Sequence, residues 1–209
     1  MMKRLTGITR ITLKAATIVF AVSAQTNEST CNRCSATYIA NSEIEAFLQR
    51  SVKTGGRERR FGDQQVRSVD AGKTGVAVGV VYRGKLTEPA PQSVALHHRV
   101  SEVYHIIEGA ATLVTGSDVV DLKARPGDDR AARYLNGPGG NGSSVRNGTT
   151  HHLRPGDVII IPAGVGHWFT RIDDHIKYLM VRVDPEKIVP LKDATAAKYD
   201  LESGGKSDY

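Results

Sequence analysis

One stretch constrains the fold more than any other: Gly156-Asp-Val-Ile-Ile-Ile-Pro162-Ala-Gly164-Val-Gly166-His167. The β-branched run from Val158 to Ile161 is short enough to be a buried strand. Pro162 and the two glycines after it then force a tight reversal, and the chain re-enters at His167-Trp-Phe. A histidine is thereby set at the start of a strand, facing inward from a rigid corner.

The same punctuation runs through the middle of the chain. Val66, Val69, Val76, Val78, Val80, Val81 and Tyr82 supply strand positions, with turns expected at 71–75 and 83–85. Further strands are expected at 93–99, 102–107, 111–115, 158–161, 167–172 and 176–183. Short strands at even spacing, with no second long helical pattern, point to an all-β antiparallel sandwich or barrel. One helix precedes it. Ser42-Glu-Ile-Glu45 reads as a capping box, and Ile44, Phe47, Leu48 and Val52 share a face, so 43–53 should lie as a helix against the outside of the sheet. Residues 53–65 read as a surface loop, and 191–209 as a C-terminal tail that frays from Leu201 onward. Between 116 and 150 the strand pattern fails in glycine-rich turn chemistry, which we read as a long inserted loop over the barrel mouth.

The chain opens on Lys3, Arg4, Arg10 and Lys14, followed by an apolar run over 15–24 that ends in small residues. That is the layout of a secretory signal peptide, and ten apolar residues fall well short of the roughly 18–20 that span a bilayer. A secreted or periplasmic protein without a permanent membrane anchor is therefore expected. Without residues 1–24 the formal charge falls from +6 to +2, and the signs that remain are interspersed. The basic run Arg57-Glu-Arg59-Arg60 is too short for a nucleic-acid footprint, so no nucleic-acid partner is expected. About 185 residues remain, enough for one self-sufficient core: an extension over 25–64 and a barrel over 65–190. Cys31 and Cys34 are the only cysteines; in an exported chain they should close a small disulfide loop, with redox chemistry, metal binding or unpaired thiols as alternatives. Asn27, Asn141 and Asn147 each begin an Asn-X-Ser/Thr sequon.

The stretch at 156–167 resembles the second motif of the cupin superfamily: Gly, five residues, Pro, one residue, Gly, two residues, His. Gly156, Pro162, Gly164 and His167 meet every position. The family's first motif is His, one residue, His, three or four residues, Glu, six residues, Gly. In Leu96-His97-His98-Arg-Val-Ser-Glu102-Val-Tyr104-His105-Ile-Ile-Glu-Gly109 the separation of Glu102 and Gly109 is met, but one histidine of the pair is absent. Adjacent His97 and His98 on a strand point to opposite faces, so one of them reaches the interior. We prefer His98, which shares parity with Glu102, although a turn at Arg-Val-Ser would erase that parity.

The resemblance narrows the all-β antiparallel sandwich or barrel to a jelly-roll barrel, and it implies a metal site formed by His97 or His98 with Glu102 and His167. Two imidazoles and a carboxylate suit Fe(II) and are acceptable to Mn, Ni or Zn. It further implies a small-molecule substrate, oxygenase-like chemistry as the largest subclass, and a possible homodimer. The alternative is a non-catalytic binder of a small molecule or sugar. Tyr104 is the expected catalytic residue, orienting substrate. His105 is out of phase with Glu102 and is placed on the outer face, while His151 and His152 stand near the loop base as compensating ligands of lesser weight. Trp168 and Phe169 are candidates for substrate stacking. Along Lys177, Tyr178, Met180 and Arg182, whichever parity faces inward offers a basic group, and the sequence leaves that parity open.

Overall fold

The structure is a computed structural model and describes residues 35–54 and 61–204. The signal segment, Asn27, Cys31, Cys34 and the basic run at 57–60 lie outside the described residues. In chain order the elements are α1 (Asn41–Thr54), β1 (Phe61–Asp70), β2 (Gly75–Leu86), β3 (Val94–His97), β4 (Ser101–Gly109), β5 (Ala111–Gly116), β6 (Asp118–Val120) and β7 (Lys123–Ala124). There follow α2 (Arg130–Tyr134), β8 (Gly139–Gly142), β9 (Ser144–Arg146), β10 (Thr149–Leu153), β11 (Val158–Ile161), β12 (Gly166–Asp184) and α3 (Ala194–Glu202). The strands pair antiparallel throughout and form a barrel of the jelly-roll kind.

β12 closes the barrel. Two separate strands were expected at 167–172 and 176–183, but one 19-residue strand runs through both. Its first turns of pleat pair with β5 and β3, and the remainder pairs with β2 and β4. The register slips between Ile172 and His175, and such extra residues bend a strand enough to carry it from one sheet to the next. At this bend β4 passes close by: a Cβ on Gly109 would sit 2.0 Å from the His175 carbonyl oxygen, and Gly109 has φ +80°. Only glycine tolerates both, which gives the last position of the first motif a steric reason.

Alternation decides what points inward. Glu102, Tyr104 and Ile106 of β4 and Ile176, Tyr178, Met180 and Arg182 of β12 are all buried on one face. Leu113, Phe169 and Ile172 complete an apolar core with them. Each fully buried aliphatic side chain there contributes about 1.5–3 kcal/mol. A second cluster, Phe47, Leu48, Val66, Val80 and Ala197, fixes α1 and α3 to the outer face of β1 and β2.

Several expectations are corrected. No turn interrupts β2 at 83–85, because Tyr82 and Arg83 stay paired with Lys177 and Ile176. Residues 61–65 belong to β1, held by pairs such as Phe61 with Arg83, so the barrel begins earlier than residue 65. The run at Val158–Ile161 is not buried throughout: Val158 and Ile160 are 61% and 68% exposed, since β11 pairs with β4 and none of the described elements covers its outer face. α1 begins at Asn41, with the Ile44 amide donating to the Ala40 carbonyl at 3.2 Å, so Ser42 lies within the first turn and does not cap it. Val52 is exposed, and Ser51 takes the buried position and donates to the Gly62 carbonyl.

The segment after residue 190 is also more ordered than a tail. Lys192 is wholly buried, donates its Nζ to the Gln65 carbonyl at 2.7 Å and pairs with Asp200 of α3, which Arg50 also reaches at 3.0 Å. Finally, 116–150 is an insertion with its own elements, β6 to β9, α2 and the start of β10, and it does line the barrel mouth.

Candidate metal centre

His97 ends β3, Glu102 is the second residue of β4 and His167 the second of β12, three strands that meet at one end of the barrel. His97, Glu102 and His167 are 4%, 2% and 4% exposed, and one ligand atom from each lies within 4.8 Å of the others. His97 Nε2 is 3.5 Å from Glu102 Oε1, and His167 Nε2 is 3.5 Å from Glu102 Oε2. Among the described residues this is the one group of three or more His, Cys, Asp or Glu side chains so arranged. They open on a cavity of about 790 Å³, whose walls include Ala95, Tyr104, Tyr178 and Met180 of the barrel and Arg125 and Asn136 of the insertion.

His97, not His98, is the inward histidine. His98 is exposed, and its preference fails because the chain turns at 98–100, so alternation does not carry from 98 to 102. The histidine-to-glutamate gap is therefore four residues, and Ala95 stands two residues before His97 on the same face of β3.

The electrostatics suit a cation. Burial pushes the His97 imidazole down to about 3 and lowers His167 as well, so both rings are neutral near pH 7 and keep a lone pair. Burial alone would raise Glu102, yet it is held at about 2 by the imidazoles when charged, by Arg182, and by a hydrogen bond from Tyr104. At neutral pH, where the rings carry no charge, Arg182 and Tyr104 keep it ionised. Arg182 Nε lies 3.4 Å from Glu102 Oε1 and the same guanidinium pairs with Asp63, which resolves the parity left open along β12: Tyr178, Met180 and Arg182 face in, and Lys177 faces out to Glu108. His167 Nδ1 lies 3.4 Å from the Val165 carbonyl, an orientation that leaves Nε2 toward the centre. Two neutral imidazole nitrogens and one ionised carboxylate are a donor set for a divalent ion, and in this respect the residues fit one.

The other candidates are placed as follows. The Tyr104 hydroxyl donates to Glu102 Oε2 at 2.6 Å, and its ring meets His167 edge-on with centroids 6.2 Å apart. His105 is exposed on the outer face, as expected. His151 and His152 sit on β10 opposite Leu113 and Thr112 and bond to Thr115 and Thr112, away from the centre, so neither compensates for a lost ligand. Trp168 donates to Ser93, and Phe169 is core, stacked on Tyr178, so neither lines the cavity. Asn141 of the second sequon is engaged by Arg125 and the Val94 carbonyl, while Asn147 is exposed.

Three cavity residues escaped sequence reading. Arg83, assigned to a turn, donates to the Tyr178 hydroxyl at 3.1 Å and lies over the Phe61 and Phe169 rings. Arg125 and Asn136 reach His97, at 3.4 Å from Nδ1 and 3.2 Å from Nε2. The glycine-rich insertion carries no periodicity, so nothing local marks which of its side chains turn inward.

The AraC-like ligand binding domain family matches residues 138–198, which include the whole of the second motif. No curated protein matches the sequence. Among solved structures, DMSP lyase DddQ from Ruegeria pomeroyi DSS-3 is 18% identical over 64% of this chain and 51% of its own, with a TM-score of 0.37. KdgF from Halomonas sp. is 12% identical over 61% of this chain and 82% of its own, with a TM-score of 0.35. A recombinant oxalate oxidase in complex with glycolate is 14% identical over 66% and 57%, with a TM-score of 0.38. The chain spans about half the length of the DMSP lyases it matches, and these likenesses are too distant to carry chemistry from one protein to another. With the second motif complete, His97, Glu102 and Gly109 of the first in the same barrel, and the match at 138–198, the chain is cupin-like in fold.

Proposed function

We propose that the protein is a metal-dependent enzyme acting on a small organic molecule, with His97, Glu102 and His167 holding one divalent ion of the Fe, Mn, Ni or Zn kind. The observation that carries this is the convergence of three buried ligand atoms within 4.8 Å, at the wall of a cavity of about 790 Å³. Three protein ligands leave coordination room, and a bound ion there would act as a Lewis acid or as a dioxygen-binding centre. Oxygenase-type chemistry is the subclass we favour. The chain's own groups do the rest: Arg182 and Tyr104 keep Glu102 ionised, Tyr178 and Met180 line the cavity beside it, and the Tyr104 hydroxyl stands close enough to the centre to orient a substrate.

Export to a secreted or periplasmic location belongs to the same proposal, supported by the basic start and the apolar run at 15–24. Among the described residues no helix is long and apolar enough to cross a membrane. A homodimer is part of it too, supported by the uncovered Val158, Ile160 and Ile107 on neighbouring strands β11 and β4.

The test is metal analysis of the purified protein beside His167→Ala and Glu102→Ala. Stoichiometric metal in the wild type, lost in both variants, supports the enzyme. A wild type that takes up no added divalent ion overturns it and leaves the non-catalytic binder.

A further inference from the structure

Asn136 is 8% exposed and sits in the cavity wall with His97, Glu102 and His167. Its amide end lies 3.2 Å from His97 Nε2, the nitrogen that faces Glu102, and its Oδ1 has no hydrogen-bond partner. A buried carbonyl without a partner costs about 1–3 kcal/mol and asks for a reason. The two ends of an amide exchange by a half-turn; in the present orientation Nδ2 donates to the His97 Nε2 lone pair and the oxygen is left unused. The half-turn brings Oδ1 to the place where Nδ2 now stands. Two neighbouring ligands of an ion bound at about 2.1 Å are about 3.0–3.4 Å apart, which is the observed separation.

The backbone beneath Asn136 is fixed. Asp129 caps α2 by accepting from the Ala132 amide at 3.0 Å, and the Asn136 amide closes the same short helix on the Ala131 carbonyl at 2.8 Å. β8 follows at once and pairs with β3, Gly139 opposite His97, so the insertion is tied to the strand that bears the ligand. On that strand Ala95 offers only a methyl to the cavity at the position where the first cupin motif carries its other histidine.

Resting on the metal reading above, we propose that Asn136 Oδ1 is a fourth protein ligand, supplied by the insertion in place of the donor absent at Ala95. The centre is then two imidazoles, one carboxylate and one amide oxygen, a harder set than three imidazoles and a carboxylate, and relative to that set it shifts the preference toward Mn(II) and Fe(II). The insertion would thus complete the centre as well as cover it.

The experiment is Co(II) and Mn(II) titration of the metal-stripped full chain by calorimetry, with the visible ligand-field spectrum of the Co(II) form, for wild type, Asn136→Ala and Asn136→Asp. Expected are an affinity loss of about 10–100-fold and displaced Co(II) bands in Asn136→Ala, with affinity at or above wild type in Asn136→Asp. Thermal unfolding of each metal-stripped variant shows whether it is folded. If Asn136→Ala does not fold, Asn136→Asp decides: a carboxylate ligand displaces the bands, and wild-type bands overturn the proposal whatever the affinity. Unchanged affinity and bands in a folded Asn136→Ala also overturn it while leaving the three-ligand centre standing. A wild type that binds neither ion overturns the metal reading, and this inference with it.

Discussion

The Tyr104 hydroxyl donates to Glu102 Oε2 at 2.6 Å, two residues apart on the inward face of β4, so the strand carries a carboxylate and the group that orients it side by side. Groups that hold a ligand in place commonly contribute 10–100-fold to metal affinity. Tyr104→Phe keeps the ring packed against Tyr178 and removes only the hydroxyl. We expect a folded protein whose metal affinity falls about tenfold, measured by calorimetric titration. Wild-type affinity would count against an orienting role.

The ligand set predicts an unequal pair of neighbours. His97→Ala should lose metal by a factor of at least about 100, as should His167→Ala, whereas His98→Ala, on an exposed side chain, should bind as the wild type does. Metal content by elemental analysis after dialysis separates the two. Loss of metal in His98→Ala would contradict the placement of β3.

Acid should weaken the metal-free fold earlier than carboxylates alone would. The His97 imidazole resists protonation in the folded chain until about pH 3, while in the unfolded chain it takes a proton near 6.5. The unfolded state therefore binds more protons between those limits, and stability falls as pH drops from 6.5 toward 3, by a factor of up to about ten in the folding equilibrium per pH unit for one such group. His167 is lowered as well and adds in the same direction. Glu102, held at about 2 against an ordinary 4.5, contributes stability that is present above 4.5 and lost between 4.5 and 2. Denaturant midpoints at pH 7.0, 6.0 and 5.0 should fall in that order, and the slope should be shallower in His97→Gln.

Arg182 is 2% exposed between Asp63 and Glu102, and it is the cation that keeps both acids compatible with burial. Arg182→Ala leaves two buried carboxylates facing each other, so a destabilisation of about 3–5 kcal/mol is expected from urea unfolding. Asp63→Asn, which keeps a hydrogen-bond acceptor for the guanidinium, should cost much less. Equal losses in the two variants would mean that the Asp63–Arg182 ion pair itself, and not the stranding of two buried carboxylates, sets the cost.

What the sequence by itself determined was local and repetitive. β-branched runs, their spacing and the Gly-Pro punctuation marked most strands, and the strict motif at 156–167 placed His167 at a strand start because a rigid corner allows few conformations. Glu102, Tyr104 and the outward His105 were readable because alternation along one unbroken strand is exact to the residue. Only the tertiary structure decided between His97 and His98, since a turn at 98–100 ends the alternation and the pairing of β3 with β8 and β12 sets the face instead. The union of two expected strands into β12, the burial of Lys192 against Asp200, and the arrival of Arg125 and Asn136 at His97 were likewise invisible. Each depends on contacts between residues far apart in the chain, and a sequence records periodicity along one strand but not which neighbour lies across from it.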